Sequence, residues 1–145
     1  MKRSQLAVVL LALAAAAVAA GVAPAAAGDP DRPPRDKRPP ELEISVTPEV
    51  LVHPNGRFRS VEIAGEVSDD EEIEDVFLAS VESSDPGDSR DILGARLGSF
   101  DDEVLLRAER SVSGERRVYR ITYVAIDAAG NEARASATVV VPGRD

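Results

Sequence analysis

The chain has 145 residues, which suits one domain, and carries 26 acidic and 17 basic residues with no cysteine and no tryptophan. Its net charge of −9 argues against a nucleic-acid-binding protein and against a protein bound to an anionic membrane surface, because both need a basic face. Without cysteine, the chain cannot form a disulfide scaffold, a zinc–thiolate site or a thiol nucleophile.

Residues 1–27 have the layout of a secretory signal peptide. Lys2-Arg3 provides a positive start, residues 6–20 form an unbroken apolar run, and Ala25-Ala26-Ala27 supplies small residues before Gly28. We therefore predict cleavage after residue 27 and a secreted or periplasmic mature chain. That chain would hold 15 basic and 26 acidic residues, and it has no later segment apolar enough to span a membrane. The alternative is a retained membrane anchor, because the apolar stretch is long enough to cross a bilayer.

Residues 28–40 predict a disordered, proline-rich linker. Five of these residues are proline, most of the others are charged, and none is a large apolar residue. Such a segment cannot bury enough surface to offset the entropy lost on ordering, and its prolines favour an extended polyproline II spacer.

Residues 41–142 predict a β-sandwich domain, because apolar residues recur at every second position and turn-forming residues separate the runs. The predicted strands are residues 42–47, 58–67, 73–83, 91–97, 103–109, 117–126 and 132–141. Seven short antiparallel strands in about 100 residues indicate an immunoglobulin-like β-sandwich, here without a disulfide. A small closed barrel is the alternative fold.

The sixth predicted strand gives the clearest indication of which side chains face the core. Ile121 is expected to point inward and Val118 to lie on the opposite face of the strand. Tyr119 begins this strand at the position of a tyrosine corner, so its ring should close the core while its hydroxyl bonds to nearby backbone. The functional alternative is a tyrosine that stacks on a ligand.

Five segments also occur in a characteristic order. They are PNGR at 54–57, VESSDP at 81–86, LLRAERS at 105–111, RVYRITY at 117–123 and AIDAAGN at 125–131. In this series the chain resembles exported bacterial immunoglobulin-like domains related to the hyalin-repeat (HYR) type, over roughly residues 46–142. Family members often carry a Trp-Pro pair where this chain has Val52-His53. The resemblance implies a sandwich fold and a secreted or surface setting, and it implies no known reaction.

No complete catalytic arrangement is visible in the sequence. The single histidine, His53, lies beside Pro54-Asn55-Gly56 in a predicted turn, where a solvated side chain is expected. Motifs for a serine nucleophile elbow, a phosphate-binding loop or a zinc protease do not occur. A carboxylate pair for glycoside hydrolysis is compatible with so many acids, but such sites usually include aromatic platforms, and aromatic residues make up only 3%. We therefore predict no enzyme, no catalytic residue and no cofactor-binding residue.

Acidic residues concentrate in three predicted loops that a seven-stranded sandwich would bring to one end. These are Asp69-Asp70-Glu71-Glu72, Asp101-Asp102-Glu103, and Asp127 with Asn131 and Glu132. The opposite end is predicted to be slightly positive, with Arg57, Arg59, Arg90, Arg110, Arg116 and Arg117 against Asp85, Asp88, Asp91 and Glu115.

Three interpretations of the acidic loops remain open. Carboxylates and an asparagine amide are the oxygen ligands that calcium requires. A basic protein partner, or the basic end of a second copy, is the second interpretation. The third is that the acids only solvate turns and protect strand edges, with Asp127 bonding to the amides of its own turn. No metal ligand is assigned from the sequence.

The sequence thus predicts an exported, non-enzymatic structural or interaction module of the cell envelope or extracellular space. Its expected partner is an envelope or extracellular protein of unknown identity, with no nucleic acid and no membrane span after cleavage. The alternative is a small secreted inhibitor or ligand-binding module that uses the acidic loop end, with calcium as a candidate ligand.

Overall fold

Alternating apolar residues build two β-sheets in the computed structural model, which describes residues 10–12, 35–85 and 89–144. The strands are β1 (Leu10–Ala12), β2 (Glu41–Thr47), β3 (Phe58–Asp69), β4 (Ile73–Ser83), β5 (Ile92–Leu93), β6 (Glu103–Arg107), β7 (Arg117–Asp127) and β8 (Glu132–Val141). No helix within the described ranges is long and apolar enough to cross a membrane. Most of the predicted signal peptide, and residues 28–34 of the predicted linker, lie outside the described residues.

The two sheets have the strand order of a constant-type immunoglobulin domain. One contains β2, β3, β6 and β5 in antiparallel order, and the short β1 pairs in parallel with the end of β3. The other contains β4, β7 and β8, also antiparallel. This division matches strands A, B, E and D against C, F and G of such domains, so the predicted immunoglobulin-like β-sandwich is confirmed.

The core follows the predicted alternation. On β7, Ile121 is fully buried and the neighbouring Val118 is only partly buried, which confirms the predicted register. Each large aliphatic side chain buried in this way stabilises the fold by about 1.5–3 kcal/mol. Val124 is the exception, because it is buried although its position belongs to the outward face. Since β7 is the central strand of its sheet, the cross-strand residues Phe77 and Arg134 flank this side chain on both sides.

Two tyrosines of β7 bond to backbone at both ends of β6 in the opposite sheet. The hydroxyl of Tyr119 donates to the carbonyl oxygen of Arg107 at 2.9 Å, which confirms the predicted tyrosine corner. The hydroxyl of Tyr123 donates to the carbonyl oxygen of Asp101, just before β6 begins. Both tyrosine side chains are fully buried, so these bonds connect the two sheets inside the core.

The fourth predicted strand, residues 91–97, is shorter than expected. Only Ile92–Leu93 pair with β6, and a 3₁₀ turn precedes them. Gly94 and Gly98 adopt positive φ angles of 78° and 79°, which end the extended conformation. The amide of Gly98 then donates to the carbonyl of Leu78 at 2.9 Å, so this segment leaves its sheet and bonds to β4 in the other one.

Candidate functional site

Two aspartates close one end of the sandwich from opposite sheets. Asp69 is the last residue of β3 and continues the inward-facing series of Val61, Ile63 and Val67. Asp127 is the last residue of β7, continues the series of Ile121 and Tyr123, and is fully buried. One carboxylate oxygen each from Asp36, Asp69 and Asp127 lies within 4.8 Å of the other two. We call these three residues the carboxylate cluster.

Asp36 reaches the cluster from the segment before β2. The side-chain amide nitrogen of Asn131 donates to the carbonyl oxygen of Asp36 at 3.2 Å. The amide of Arg38 donates to Asp36 Oδ1 at 3.0 Å, which fixes a local turn, and Pro40 is buried. Residues 35–40, which the sequence assigns to the linker, therefore lie against the end of the sandwich.

The turn between β7 and β8 holds Asp127 in its ionised form. The backbone amide of Asn131 donates to Asp127 Oδ1 and its side-chain amide donates to Asp127 Oδ2, both at 2.8 Å. Gly130 provides the left-handed residue of this turn, with φ at 87°. Burial acts to raise the pKa of Asp127. Hydrogen bonds from Asn131 and Ala129, together with the Asp69 carboxyl, outweigh burial and hold the pKa below its ordinary value.

The other two members of the cluster each keep one unsatisfied oxygen. Asp69 Oδ1 accepts the amide of Asp70 at 2.7 Å, but Asp69 Oδ2 is buried without a hydrogen-bond donor among the described residues. Asp36 Oδ2 is in the same position. At a separation of about 4.8 Å, two carboxylate charges repel by about 3 kcal/mol for an effective dielectric constant of about 20. The three carboxylates therefore repel one another at this end of the sandwich.

The structure brings together only part of the predicted acidic end. Asp69, Asp127 and Asn131 meet as the loop assignment predicts, but Asp101 does not join them. Its carboxylate is buried and accepts the amide of Arg96 at 2.9 Å, with the Arg96 guanidinium 3.8 Å away. The prediction of three converging loops was therefore wrong for the loop before β6, because this loop folds onto its own arginine.

Two further acids of the predicted end are also paired elsewhere. Asp70 bonds to the guanidinium of Arg38 at 3.1 Å, and both side chains are highly exposed. Glu132 pairs with Arg134 at 3.1 Å. These acids lie beside the carboxylate cluster without belonging to it.

Sequence reasoning missed Asp36, because nothing in the local pattern distinguishes it from Asp29 and Asp31. A usable signal did exist for the other two members. Counting every second residue from Val61 leads to Asp69, and counting from Tyr119 leads to Asp127, so both acids occupy the next inward position of their strands.

The opposite end of the sandwich contains a buried ion pair below an open cleft of about 720 Å³. Arg117 bonds to Asp91 inside the protein, donates to the Ser83 hydroxyl at 2.9 Å, and lies 5.2 Å from the centre of the Tyr119 ring. Arg107 also reaches Asp91, at 3.3 Å. Arg117 and Asp91 were counted as surface charges of the basic end, but burial removes both from that surface.

His53 lies on the loop after β2 with an exposed side chain, as the sequence predicts for a solvated residue. Its φ of 59° places it in the left-handed region.

Comparison of the chain with protein-family models, with curated proteins and with solved structures finds no significant match.

Proposed function

We propose that this chain is an exported, non-enzymatic immunoglobulin-like module that serves a structural or interaction role in the cell envelope or outside the cell. One observation carries the proposal: a signal-peptide pattern precedes a sandwich whose buried polar residues, Asp91, Asp101, Arg117 and Asp127, all bond within the protein. The buried Arg117–Asp91 pair, the hydroxyls of Tyr119 and Tyr123, and the Asp101 carboxylate all bond within the protein. The resemblance to exported bacterial immunoglobulin-like domains agrees with this setting.

Export is tested by N-terminal sequencing of the processed protein from a bacterial host. We expect a mature chain that begins at Gly28. The matched control replaces Ala25 and Ala27 with leucine, which removes the small residues needed for cleavage and should leave the precursor unprocessed. A wild-type protein that retains Met1 in the membrane fraction would contradict the proposal and support an anchor.

The interaction role is tested by affinity capture from the native envelope with the wild-type protein as bait. A structural module should retain a specific envelope protein and should show no turnover of peptide, ester or glycoside substrates. Saturable turnover of any of these substrates by the purified protein would reject the non-enzymatic assignment.

The second candidate function is a small secreted inhibitor or ligand-binding module that uses the acidic end. The observation that favours it is the carboxylate cluster with its two unsatisfied oxygens. The variant Asp69→Asn separates the two functions, because it should abolish capture of the partner only where the acidic end forms the binding surface.

A further inference from the structure

We propose that the cleft at the basic end of the sandwich binds a peptide segment of a partner protein that presents a carboxylate beside an apolar side chain. The cleft has a volume of about 720 Å³ and lies above the buried Arg117–Asp91 pair. The inference deepens the proposed interaction role, because it states what the partner presents. It rests on that role only for the occupant being a protein.

The floor of the cleft is electrically balanced. Asp91 accepts hydrogen bonds from both Arg117 and Arg107. Arg107 also pairs with Glu109 at 3.0 Å and donates to the carbonyl oxygen of Gly56 at 3.0 Å. Two arginines and two carboxylates thus compensate one another, and their bonds fix this part of the cleft before any ligand arrives.

The rim of the cleft has an uncompensated positive charge. Its other charged residues, within the described lining, are two arginines and one carboxylate, Arg110, Arg144 and Asp85. Arg110 is half-buried and its Nε has no acceptor, and among the residues described neither arginine forms an ion pair. Asp85 accepts only neutral donors, the hydroxyl of Ser111 at 3.0 Å and the amide of Val112 at 3.3 Å. The rim therefore has a net charge of +1.

A single excess positive charge favours a singly charged ligand group. A carboxylate brings one negative charge, and a planar guanidinium can donate two parallel hydrogen bonds to it. A phosphate monoester carries about −1.5 to −2 charges at neutral pH, so its second charge would face Asp85 and Glu109 without compensation. The charge of the rim therefore favours a carboxylate over a phosphate.

The same cleft offers a preformed apolar surface. The side chain of Val112 is 97% exposed, and both Val112 and Pro54 line the cleft. The loop that carries Val112 is closed by a hydrogen bond from the amide of Gly114 to the carbonyl oxygen of Ser111 at 2.8 Å, with the φ of Gly114 at 84°. An apolar side chain next to the bound carboxylate would therefore contact Val112 without a rearrangement of the loop.

The shape of this surface favours an extended segment over a compact molecule. A second open cleft, of about 760 Å³, adjoins the first and shares Ser111 and Arg144 with it. Binding sites for small molecules enclose most of the ligand surface, whereas these two clefts are open and lie side by side. An extended peptide can occupy both of them, and a small organic acid would fill only part of one.

NMR titration of the isotope-labelled, purified protein with short peptides tests the site directly. The probe is acetyl-Gly-Glu-Leu-Gly-amide, which carries one carboxylate beside one apolar side chain. We expect saturable shifts of the Arg110 Nε–H signal and the Val112 amide signal, with a dissociation constant of about 10⁻⁴–10⁻³ M for so short a peptide. The peptide with glutamine in place of glutamate should bind about tenfold more weakly, because it lacks the charge. The peptide with phosphoserine at that position should bind no more tightly than the probe.

Two variants of the protein remove the excess charge. Arg110→Gln and Arg144→Gln should each weaken binding of the probe about tenfold, because each removes a charged donor. Both variants should keep the wild-type melting temperature, since neither arginine has an ion pair to lose among the described residues. The matched control is Arg38→Gln, which removes the same charge at the opposite end of the sandwich. It should change the affinity less than about twofold, because the strands between the two ends are much longer than the Debye length of about 8 Å.

Three outcomes would overturn the proposal. Equal affinities for the glutamate and glutamine peptides would mean that the cleft does not recognise a carboxylate. Unchanged affinity for the probe in both Arg110→Gln and Arg144→Gln would place the binding surface elsewhere. Tighter binding of the phosphoserine peptide would reject the argument from a single excess charge.

Affinity capture from the native envelope separates this site from the proposed function. If Arg110→Gln captures the envelope protein as well as the wild type does, the interaction role stands and the cleft is rejected as its site. If the wild type captures no protein while the probe still binds in the cleft, the interaction role fails and the carboxylate site stands.

Discussion

Replacing Tyr123 with phenylalanine should destabilise the protein more than the same change at Tyr119. Both substitutions keep the aromatic ring in the core and remove only a buried hydroxyl. The difference lies in the acceptor. The carbonyl oxygen of Arg107 also accepts the amide of Glu109 at 2.9 Å, so it remains bonded when Tyr119 loses its hydroxyl. Within the described residues, the carbonyl of Asp101 has no donor besides Tyr123.

The expected magnitudes follow from these acceptors. Tyr119→Phe removes one hydrogen bond and leaves no group unsatisfied, which costs about 0.5–1.5 kcal/mol. Tyr123→Phe leaves a carbonyl of a buried residue without a donor, which costs about 1–3 kcal/mol. The free energy of unfolding should therefore be lower in Tyr123→Phe than in Tyr119→Phe by about 1 kcal/mol.

Urea denaturation of the two variants and the wild type measures this difference. The urea concentration at the midpoint should decrease in the order wild type, Tyr119→Phe, Tyr123→Phe. The slope of the unfolding free energy against urea concentration should be the same for all three, since unfolding exposes the same surface area in each. Equal midpoints, or a lower midpoint for Tyr119→Phe, would refute the argument from acceptor satisfaction.

Two other predictions concern the same core. Ile121→Ala should lower the free energy of unfolding by about 2–5 kcal/mol and Val118→Ala by clearly less, and a reversed order in chemical denaturation would contradict the observed register. The protein should also lose stability as the pH rises from about 10 to 12. Burial raises the pKa of Tyr119 to about 12 and that of Tyr123 further. The unfolded chain therefore releases these two protons at a lower pH than the folded protein does. The stabilisation from the two neutral tyrosines is fully present below about pH 10 and is lost as the pH rises above it. Denaturation series across this range should show the decline in the wild type and little decline in the double phenylalanine variant.

The period of two in the sequence predicted the strands well, because one buried face requires strict alternation along each strand. The strands at residues 73–83 and 132–141 have the predicted bounds, and the inward position of Ile121 is confirmed. The segment at 91–97 could not be predicted in the same way. The positive φ angles of Gly94, within it, and Gly98, directly after it, and the hydrogen bond from Gly98 to β4 depend on contacts with the other sheet that no local pattern records.

The candidate site was only partly predictable, because charge composition does not show which carboxylates form ion pairs with an arginine. The sequence grouped Asp69, Asp101 and Asp127 by loop. In the structure Asp101 turns to Arg96, five residues before it, and Asp70 turns to Arg38, which the sequence placed in a disordered linker. Pairings of this kind are decided by the path of the backbone, and they determine which carboxylates keep an uncompensated charge.

The two acids that close the core have different consequences for the fold. A carboxylate at the last inward position of a strand loses its hydration, so it must receive donors or a positive charge from the protein. Asp127 receives donors from Asn131 and Ala129 in its own turn, which makes it part of the turn. Asp69 receives a single backbone donor, from Asp70, and its second oxygen has none among the described residues. A change at Asp127 should therefore unfold the turn between β7 and β8 in any buffer, whereas a change at Asp69 removes one backbone hydrogen bond and should lower the free energy of unfolding by less.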